Sequence, residues 1–362
     1  MSLNLVTVDD FEAAARERLP QMVYDYYRSG SDEEHTLRRN RDAFAAYEIW
    51  YRTLVDVGCP NLETTVLGTK LTSPICIAPT AYHRLACPDG EQATARAAAK
   101  ASTLYVASTL ATTTLEDVAA ASGPNGARWF QLYVHKERAF TESLIVRAKS
   151  AGYSAIAVTI DTPVLGRRCA DVRNGFALPD GMVMANLVDI LPPDLRSGAG
   201  SELARFVASR HDATFVWKDL EWIARAAAPL PVVVKGLVRA DDAKRAVDHG
   251  VAGIWVSNHG GRQMDFAPAT IDALPGVVEA VGDRAEVYLD GGVYSGTRAL
   301  VALGLGARAV FVGRPILWGL SVDGERGVAR VLDMLNEELL RAMQLAGCAD
   351  AAAARDGLIR RR

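Results

Sequence analysis

VVVKGLVRADDAKRAVDHGVAGIWVSNHGGR, residues 232–262, carries the repeat unit that decides the fold. Val232–Lys235 and Ile254–Ser257 are short apolar runs rich in β-branched residues, which read as buried strands. Between them Ala240–His249 has the spacing of an amphipathic helix. A strand, a helix and a second strand in that order imply parallel pairing, because a parallel crossover needs a helix. The second strand ends in the polar loop Ser257-Asn258-His259-Gly260-Gly261-Arg262. The two glycines let the backbone turn sharply and let a flat ligand come close. Arginine grips carboxylates with a planar fork of donors, and histidine moves protons near neutral pH. A base and a carboxylate clamp three residues apart suggest chemistry on a carbon beside a carboxylate. The plain alternative is a polar loop that only caps its strand.

Outward from this unit the same rhythm continues. Strand-like runs fall at Ile75–Ala78, Tyr105–Ser108, Trp129–Val134 and Ala155–Ile160, then at the two above, and finally at Val287–Leu289 and Val310–Val312. Further helical stretches lie at Glu91–Ala101, Thr141–Ala151 and Gly296–Leu303. Eight such units within roughly 250 residues point to an α/β fold, the closed (β/α)8 TIM barrel. A doubly wound open sheet is the runner-up, though it seldom shows eight evenly spaced units. The expected organisation is one domain over residues 1–362, with a helical extension at 1–70 and the barrel at 71–345. Residues 9–29 read as two short helices broken at Pro20, with Phe11, Ala15, Leu19, Val23 and Tyr26-Tyr27 on the apolar side. Periodicity alone places Tyr24, Tyr26 and Tyr27 in the core. The interval between Asp161 and Pro231 is too long for the rhythm. It holds Pro192-Pro193 and the small-residue tract Ser197–Ser201, so residues 180–220 are expected to form a mobile, lid-like loop after strand four. Arg360-Arg361-Arg362 is expected to be a solvated tail.

Composition narrows the function classes. The 362 residues are 49% hydrophobic and 23% charged with a formal net charge of -3, a soluble globular balance. No basic stripe suggests nucleic acid, and no apolar run approaches the roughly 18 residues of a membrane span. The first twenty residues are acidic and amphipathic, unlike a signal peptide. Cys59, Cys76, Cys87, Cys169 and Cys348 are scattered without a CxxC pair, which argues against a metal site or disulfide framework. A reducing, cytoplasmic setting is the expectation.

In a barrel the functional groups sit where strands end. Strand one ends in Pro79-Thr80-Ala81-Tyr82, strand two in Ser108-Thr109-Leu110, and strand three carries Gln131 and Tyr133. Strand four carries Thr159 and Asp161, followed by Gly166-Arg167-Arg168, and strand five ends in Lys235-Gly236. Strands seven and eight end in Asp290-Gly291-Gly292 and Gly313-Arg314. A lysine at the end of a valine run is costly to bury unless a negative partner awaits it. The last two strand ends fit the phosphate site that barrels often build there. FMN fits this set better than a nicotinamide, because no GxGxxG follows a strand.

These residues resemble a known family. SNHGGRQ (257–263) is its most specific motif, supported by LPQMVYDYYRSG (19–30), IAPTA (77–81), WFQLYV (129–134), TIDTPVLGRR (159–168), VVKG (233–236), LDGG (289–292) and VGRP (312–315). Together they resemble the FMN-dependent L-2-hydroxy-acid oxidases and dehydrogenases over nearly the whole chain. The resemblance implies that His259 is the base, that Asp161 stands behind it, and that Arg262 and Arg168 clamp the substrate carboxylate. It implies that Tyr133 hydrogen-bonds the substrate and that Tyr26 reaches the carboxylate, which takes Tyr26 out of the plain core. Tyr82 and Leu110 would face the substrate side chain. Lys235 would sit beside the N1–O2 edge of the flavin, with Ser108, Gln131, Thr159 and Ser257 bonding it and the backbone at Pro79, Thr80 and Ala81 facing its ring. Asp290, Gly291, Gly292, Gly313 and Arg314 would hold ribityl and phosphate.

One position departs from the family pattern. Many relatives carry an arginine where this chain has Tyr294, and Arg298 is the candidate substitute. Ala81-Tyr82-His83-Arg84-Leu85, Leu110 and Asn174-Gly175-Phe176 resemble the branch that acts on hydroxymandelate, which implies an aromatic or larger 2-hydroxy acid. The polar insertion differs from the apolar one of membrane-bound, quinone-using relatives, which implies an oxidase reducing O2 to hydrogen peroxide. The alternatives are a lactate or glycolate oxidase, a dehydrogenase with another acceptor, a flavin-free Schiff-base aldolase using Lys235, and a phosphate sensor. A homo-tetramer or octamer is expected, with no nucleic acid, membrane or metal partner.

Overall fold

The computed structural model describes residues 4–191, 209–355 and 357–362. The eight expected strands are present: β1 (Ile75–Ile77), β2 (Tyr105–Ser108), β3 (Arg128–Leu132), β4 (Ile156–Thr159), β5 (Val232–Leu237), β6 (Gly253–Val256), β7 (Glu286–Asp290) and β8 (Ala309–Val312). They close into one parallel barrel in chain order, with β8 pairing back onto β1 through Val310 and Ile75. Closure leaves no exposed edge, so the open-sheet alternative is excluded.

Alternation along each strand divides the core in two. Ile75, Ile77, Tyr105, Ala107, Phe130 and Ile156 face the helices, whereas Cys76, Val106, Trp129, Ala157, Val233, Trp255, Tyr288 and Phe311 pack together inside the barrel. The inner set is lopsided. Small side chains come from β1, β2, β4 and β5, and four aromatics from β3, β6, β7 and β8 fill the space they leave. Trp255 and Phe311 approach to 3.8 Å between ring centroids, and Trp129 packs on Tyr288 at 5.5 Å. A hairpin, Thr64–Val66 with Thr69–Leu71, adds Val66 and Leu71 to this inner cluster. The interior is thus solid, and an open cavity lies where the strands end.

The extension folds as the proline pattern implies. Val8–Arg18 starts at a capping box made by Thr7 and Asp10, and Gln21–Arg28 follows directly after Pro20. His35–Asp42 then lies against the SNHGGR loop, where Asn40 and Asn258 exchange amide hydrogen bonds at 2.8 Å in both directions. Two expectations need correction. The C-terminal arginines are not a solvated tail: Ile359–Arg361 pairs antiparallel with Tyr47–Ile49, and Arg362 reaches Glu48 at 2.7 Å. The buried Leu358 (1% exposed) just before it anchors that strand. Nor are residues 180–220 uniformly a loose loop. Ala185 N–H donates to Ala111 at 3.0 Å, Leu187 is buried, and Asp212 N–H donates to Val134 at 2.9 Å. Pro192-Pro193 and the Ser197–Ser201 tract lie outside the described residues.

The loop after β6 is strained. His259, Gly260 and Gly261 all have left-handed backbone, with φ of 59°, 65° and 73°. Only the glycines adopt this freely, so His259 carries a local cost of about 1–3 kcal/mol. The glycines make room for protein rather than for a flat ligand. A Cβ on Gly261 would meet Leu37 backbone atoms at 2.6 Å, and one on Gly260 would meet the Arg314 guanidinium at 2.8 Å. Gly261→Ala should therefore destabilise the fold by roughly 2–4 kcal/mol. Chemical denaturation checks this, and an unchanged midpoint would show that the loop and the 35–42 helix are not locked together.

Candidate active site

The strand ends surround a cavity of about 580 Å³. Of the residues expected there, Pro79, Thr80, Ala81, Tyr82, Ser108, Leu110, Gln131, Tyr133, Thr159, Arg168, Lys235, His259, Arg262, Asp290, Gly291, Gly292, Gly313 and Arg314 line it, and so does Tyr26 from the extension. Asp161 sits behind His259, as expected. Ser257 is the exception. It does not line the cavity but is buried beneath it, accepting from Lys235 Nζ at 2.9 Å and from His259 N–H at 3.0 Å, and donating to Asp290 Oδ1 at 2.8 Å. Ser257 therefore ties Lys235, His259 and Asp290 together in the cavity wall.

At one end of the cavity His259 Nδ1 lies 2.9 Å from Asp161 Oδ1, and Nε2 lies 3.4 Å from the Tyr133 hydroxyl. Burial pushes the His259 pKa below 6.5; Asp161 opposes this, and Lys235 and Arg168 add to it. Burial would push Asp161 up, but His259 and Lys235 carry it below the usual carboxylate value. The pair at neutral pH is thus a carboxylate and a neutral imidazole. The carboxylate takes the Nδ1 proton in a hydrogen bond, which leaves the Nε2 lone pair open to the cavity. Burial, followed by the nearby Asp161, raises Tyr133, so its phenol keeps its proton.

Cations gather around this pair. Lys235 finds the partner its burial demands in Asp290, at 3.2 Å. Arg262 and Arg314 have no ion-pair partner among the described residues. Arg262 Nη1 donates to the carbonyls of Tyr26 (2.7 Å) and Ser29 (2.9 Å). Arg314 donates from Nε to Tyr27, from Nη1 to Gly260 and from Nη2 to Ser29, all within 3.0 Å. Carbonyls satisfy donors but do not cancel charge. Burial, then Arg168, pushes Arg262 down to about 9, so it stays charged at neutral pH beside another cation. Arg168 Nε is buried without a hydrogen-bond partner among the described residues. The Tyr26 ring lies 5.0 Å from the Arg262 guanidinium and 5.9 Å from that of Arg168. Arg262 and Arg168 prepare this end of the cavity for an anion, and Arg314 reaches from here toward the other end.

Glycine-rich turns and a helix start close the other end. Gly291 and Gly292 have φ of 92° and 79°, and the helix Arg314–Ala346 begins directly after Gly313. The positive end of a helix suits a phosphate. Tyr294 also lines the cavity, with the Arg41 guanidinium 4.3 Å from its ring centroid. Arg298 is not on the cavity wall. It braces the turn from behind, donating to the Gly292 carbonyl at 2.9 Å. Between the two ends Ser108, Gln131 and Thr159 form a hydrogen-bonded row of polar side chains, with Ser108 Oγ 3.1 Å and Thr159 Oγ1 2.9 Å from the Gln131 amide. A long ligand with a polar ring edge and a phosphate tail fits this wall.

Residues 15–361 match the FMN-dependent dehydrogenase family. The chain belongs to that family. It is 47% identical over 360 residues to 2-hydroxyacid oxidase 1 of Homo sapiens, covering 99% of this chain and 97% of that one. It is 47% identical over 346 residues to glycolate oxidase of Spinacia oleracea, covering 96% and 93%. A crystal structure of mandelate oxidase with (S)-4-hydroxymandelic acid superposes with a TM-score of 0.93 at 40% identity, covering 99% of both chains. The protein is an FMN-dependent 2-hydroxy-acid-oxidising flavoenzyme, and its cavity fits that cofactor. The Schiff-base aldolase and the phosphate sensor are set aside.

Several residues that shape the site escaped sequence reasoning. Asn40 and Asn258 hold the histidine loop, and the 40-to-258 pairing leaves no local trace. Met184 and His211 come from the irregular insertion, where no periodicity marks them. His211 is buried and stacked on Tyr133 at 4.8 Å between ring centroids, and burial lowers its pKa to about 4. Together with Tyr133 and Thr159 it separates the cavity from a second one of about 260 Å³. For the phosphate end, Arg298→Ala should weaken FMN only a few-fold, because its contact is with the turn, whereas Arg314→Ala should cost about tenfold or more. Fluorescence titration with FMN measures both, and the reverse order would show that Arg298 reaches the phosphate.

Proposed function

We propose that this enzyme oxidises an L-2-hydroxy acid with an aromatic or otherwise bulky side chain to the 2-oxo acid, and that O2 accepts the electrons and becomes hydrogen peroxide. The observation that carries this reading is a neutral imidazole with an open Nε2, facing the same cavity as guanidiniums whose charge is unmatched. The substrate carboxylate binds Arg262 and Arg168, with Tyr26 beside them. His259 Nε2 takes a proton from the bound acid, and Asp161 stabilises the imidazolium that results. Tyr133, still protonated, donates to the substrate oxygen. Bound FMN supplies the two-electron acceptor. Lys235 places a fixed positive charge along that wall, held in place by Asp290 and Ser257. The hydroxy acid loses two electrons and two protons, and O2 gains the same to become peroxide.

The side-chain end of the cavity supports a bulky substrate. Tyr26 and Phe176 stack at 4.2 Å, Tyr82 contacts Met184 at 3.8 Å, and Leu110 completes an apolar wall. The mandelate oxidase likeness agrees with this, while the glycolate oxidase relatives favour a small acid as the second reading. Leu110→Trp should fill this space and lower kcat/KM for mandelate relative to glycolate by about 10- to 100-fold. A screen of glycolate, lactate, mandelate and 4-hydroxymandelate under air, reading peroxide and oxo acid together, tests both halves. One peroxide per oxo acid is expected. Slow air oxidation with fast quinone reduction would replace the oxidase reading by a dehydrogenase.

The pH profile tests the base. Protonation of His259 removes it, so turnover falls as pH falls, and a depressed pKa places that limb below 6.5. Asp161→Asn removes a charge that favours the imidazolium. The limb should move to still lower pH and kcat should drop by roughly 10²–10⁴-fold. A limb above pH 7 in the unaltered enzyme would count against His259 as the base.

A further inference from the structure

Behind the Thr80–Ala81 wall lies a buried polar cluster that the reaction does not use. His83 and Glu91 are both 0% exposed. The His83 ring bridges two hydroxyls: Nε2 is 2.5 Å from Thr80 Oγ1, and Nδ1 is 3.0 Å from Thr94 Oγ1. Glu91 Oε1 accepts from His83 N–H at 3.0 Å and from Thr112 N–H at 2.8 Å, and Oε2 accepts from the hydroxyls of Thr112 and Thr113 at 2.8 Å. One carboxylate therefore ties the turn after β1 to the turn after β2. The turn after β1 needs such support, because Tyr82 is left-handed at φ 62° and is held from the other side by the Tyr27 hydroxyl, 2.6 Å from its carbonyl.

Burial lowers the His83 pKa, with Glu91 opposing, so the ring is neutral. A neutral imidazole has one N–H and one lone pair. Of the two threonine hydroxyls, one must donate to the ring and the other accept from it. The ring therefore decides whether Thr80 offers its remaining bonding capacity to the cavity as donor or acceptor. Thr80 lines the cavity, and His83 does not.

We propose that His83 is a positioning residue for FMN, acting through Thr80: it locks the orientation and hydrogen-bonding sense of that hydroxyl, and with Glu91 it holds the Thr80–Tyr82 turn at a fixed place beside Leu110. This rests on the flavin lying against the Thr80–Ala81 turn. His83→Leu removes both ring hydrogen bonds and strands two hydroxyls. It should weaken FMN roughly ten- to hundredfold and shift the visible flavin bands. His83→Gln, whose amide both donates and accepts, should recover most of the affinity and the spectrum. Thr94→Val keeps the volume and removes only the far bond, so it should act in the same direction and more weakly, even if His83→Leu folds poorly. Thr80→Val provides the control. If it perturbs FMN binding and spectrum while His83→Leu and Thr94→Val leave both unchanged, the role of His83 is refuted and the flavin placement stands. If Thr80→Val is also silent, the flavin does not lie on this turn and the inference falls with the placement.

Discussion

The last carbonyls of the helix Gln21–Arg28 accept hydrogen bonds from Arg262 and Arg314, and much of the site depends on that contact. A helix end leaves carbonyl groups without partners and carries partial negative charge. Here two guanidiniums, one from the loop after β6 and one from the start of the helix after β8, meet both needs. Each hydrogen bond from a charged donor contributes about 1.5–3 kcal/mol. The same contacts spend donors on neutral acceptors and leave the positive charge facing the cavity. One arrangement thus fastens the extension to the barrel and prepares the site for anions. It also explains why Tyr26, far away in sequence, stands beside the arginines.

Charge around the cavity is unevenly matched. Lys235 is paired with Asp290, and the Asp161 carboxylate holds the neutral His259 ring, so both groups have a fixed orientation. Arg168 has a distant partner in Asp171 at 3.9 Å, and burial raises that carboxyl despite the arginines nearby. The uncompensated charge is therefore concentrated where a carboxylate and a phosphate would bind. The neutral imidazole lies at the carboxylate end, with its pKa held down by burial and by Lys235 and Arg168. A base that must be free at neutral pH gains from cationic neighbours, while Asp161 retains the means to stabilise it once protonated.

Much of the site was legible beforehand because of how a barrel is built. Parallel strands of similar length put their ends at one mouth, so reading the residue after each apolar run was enough to gather Thr80, Gln131, Lys235, His259 and Arg314. The partners of Ser257 are not legible there, because strand-end position says that a side chain is near the site but not which way it points. Its hydroxyl turned inward to satisfy Lys235 and Asp290, a need visible only once those two are neighbours. The contact of Arg298 is hidden for a similar reason: one helical turn of sequence separation puts its guanidinium on the Gly292 carbonyl, behind the glycine turn. The terminal arginines read as a solvated tail because their charge hides the pairing of Leu358 and Ile359 with the core and a distant strand.

The sequence by itself determined the parallel barrel, the chemistry of the loop after β6 and the family motifs, since these depend on periodicity and on residues close together in the chain. Only the tertiary structure decided that glycines 260 and 261 make room for Arg314 and Leu37, that Asn40 locks to Asn258, that His211 backs Tyr133, and that His83 stands behind Thr80. Each of those facts joins segments remote in sequence. Hydrogen-bond direction and close packing between such segments are properties of the folded arrangement, and no local pattern encodes them.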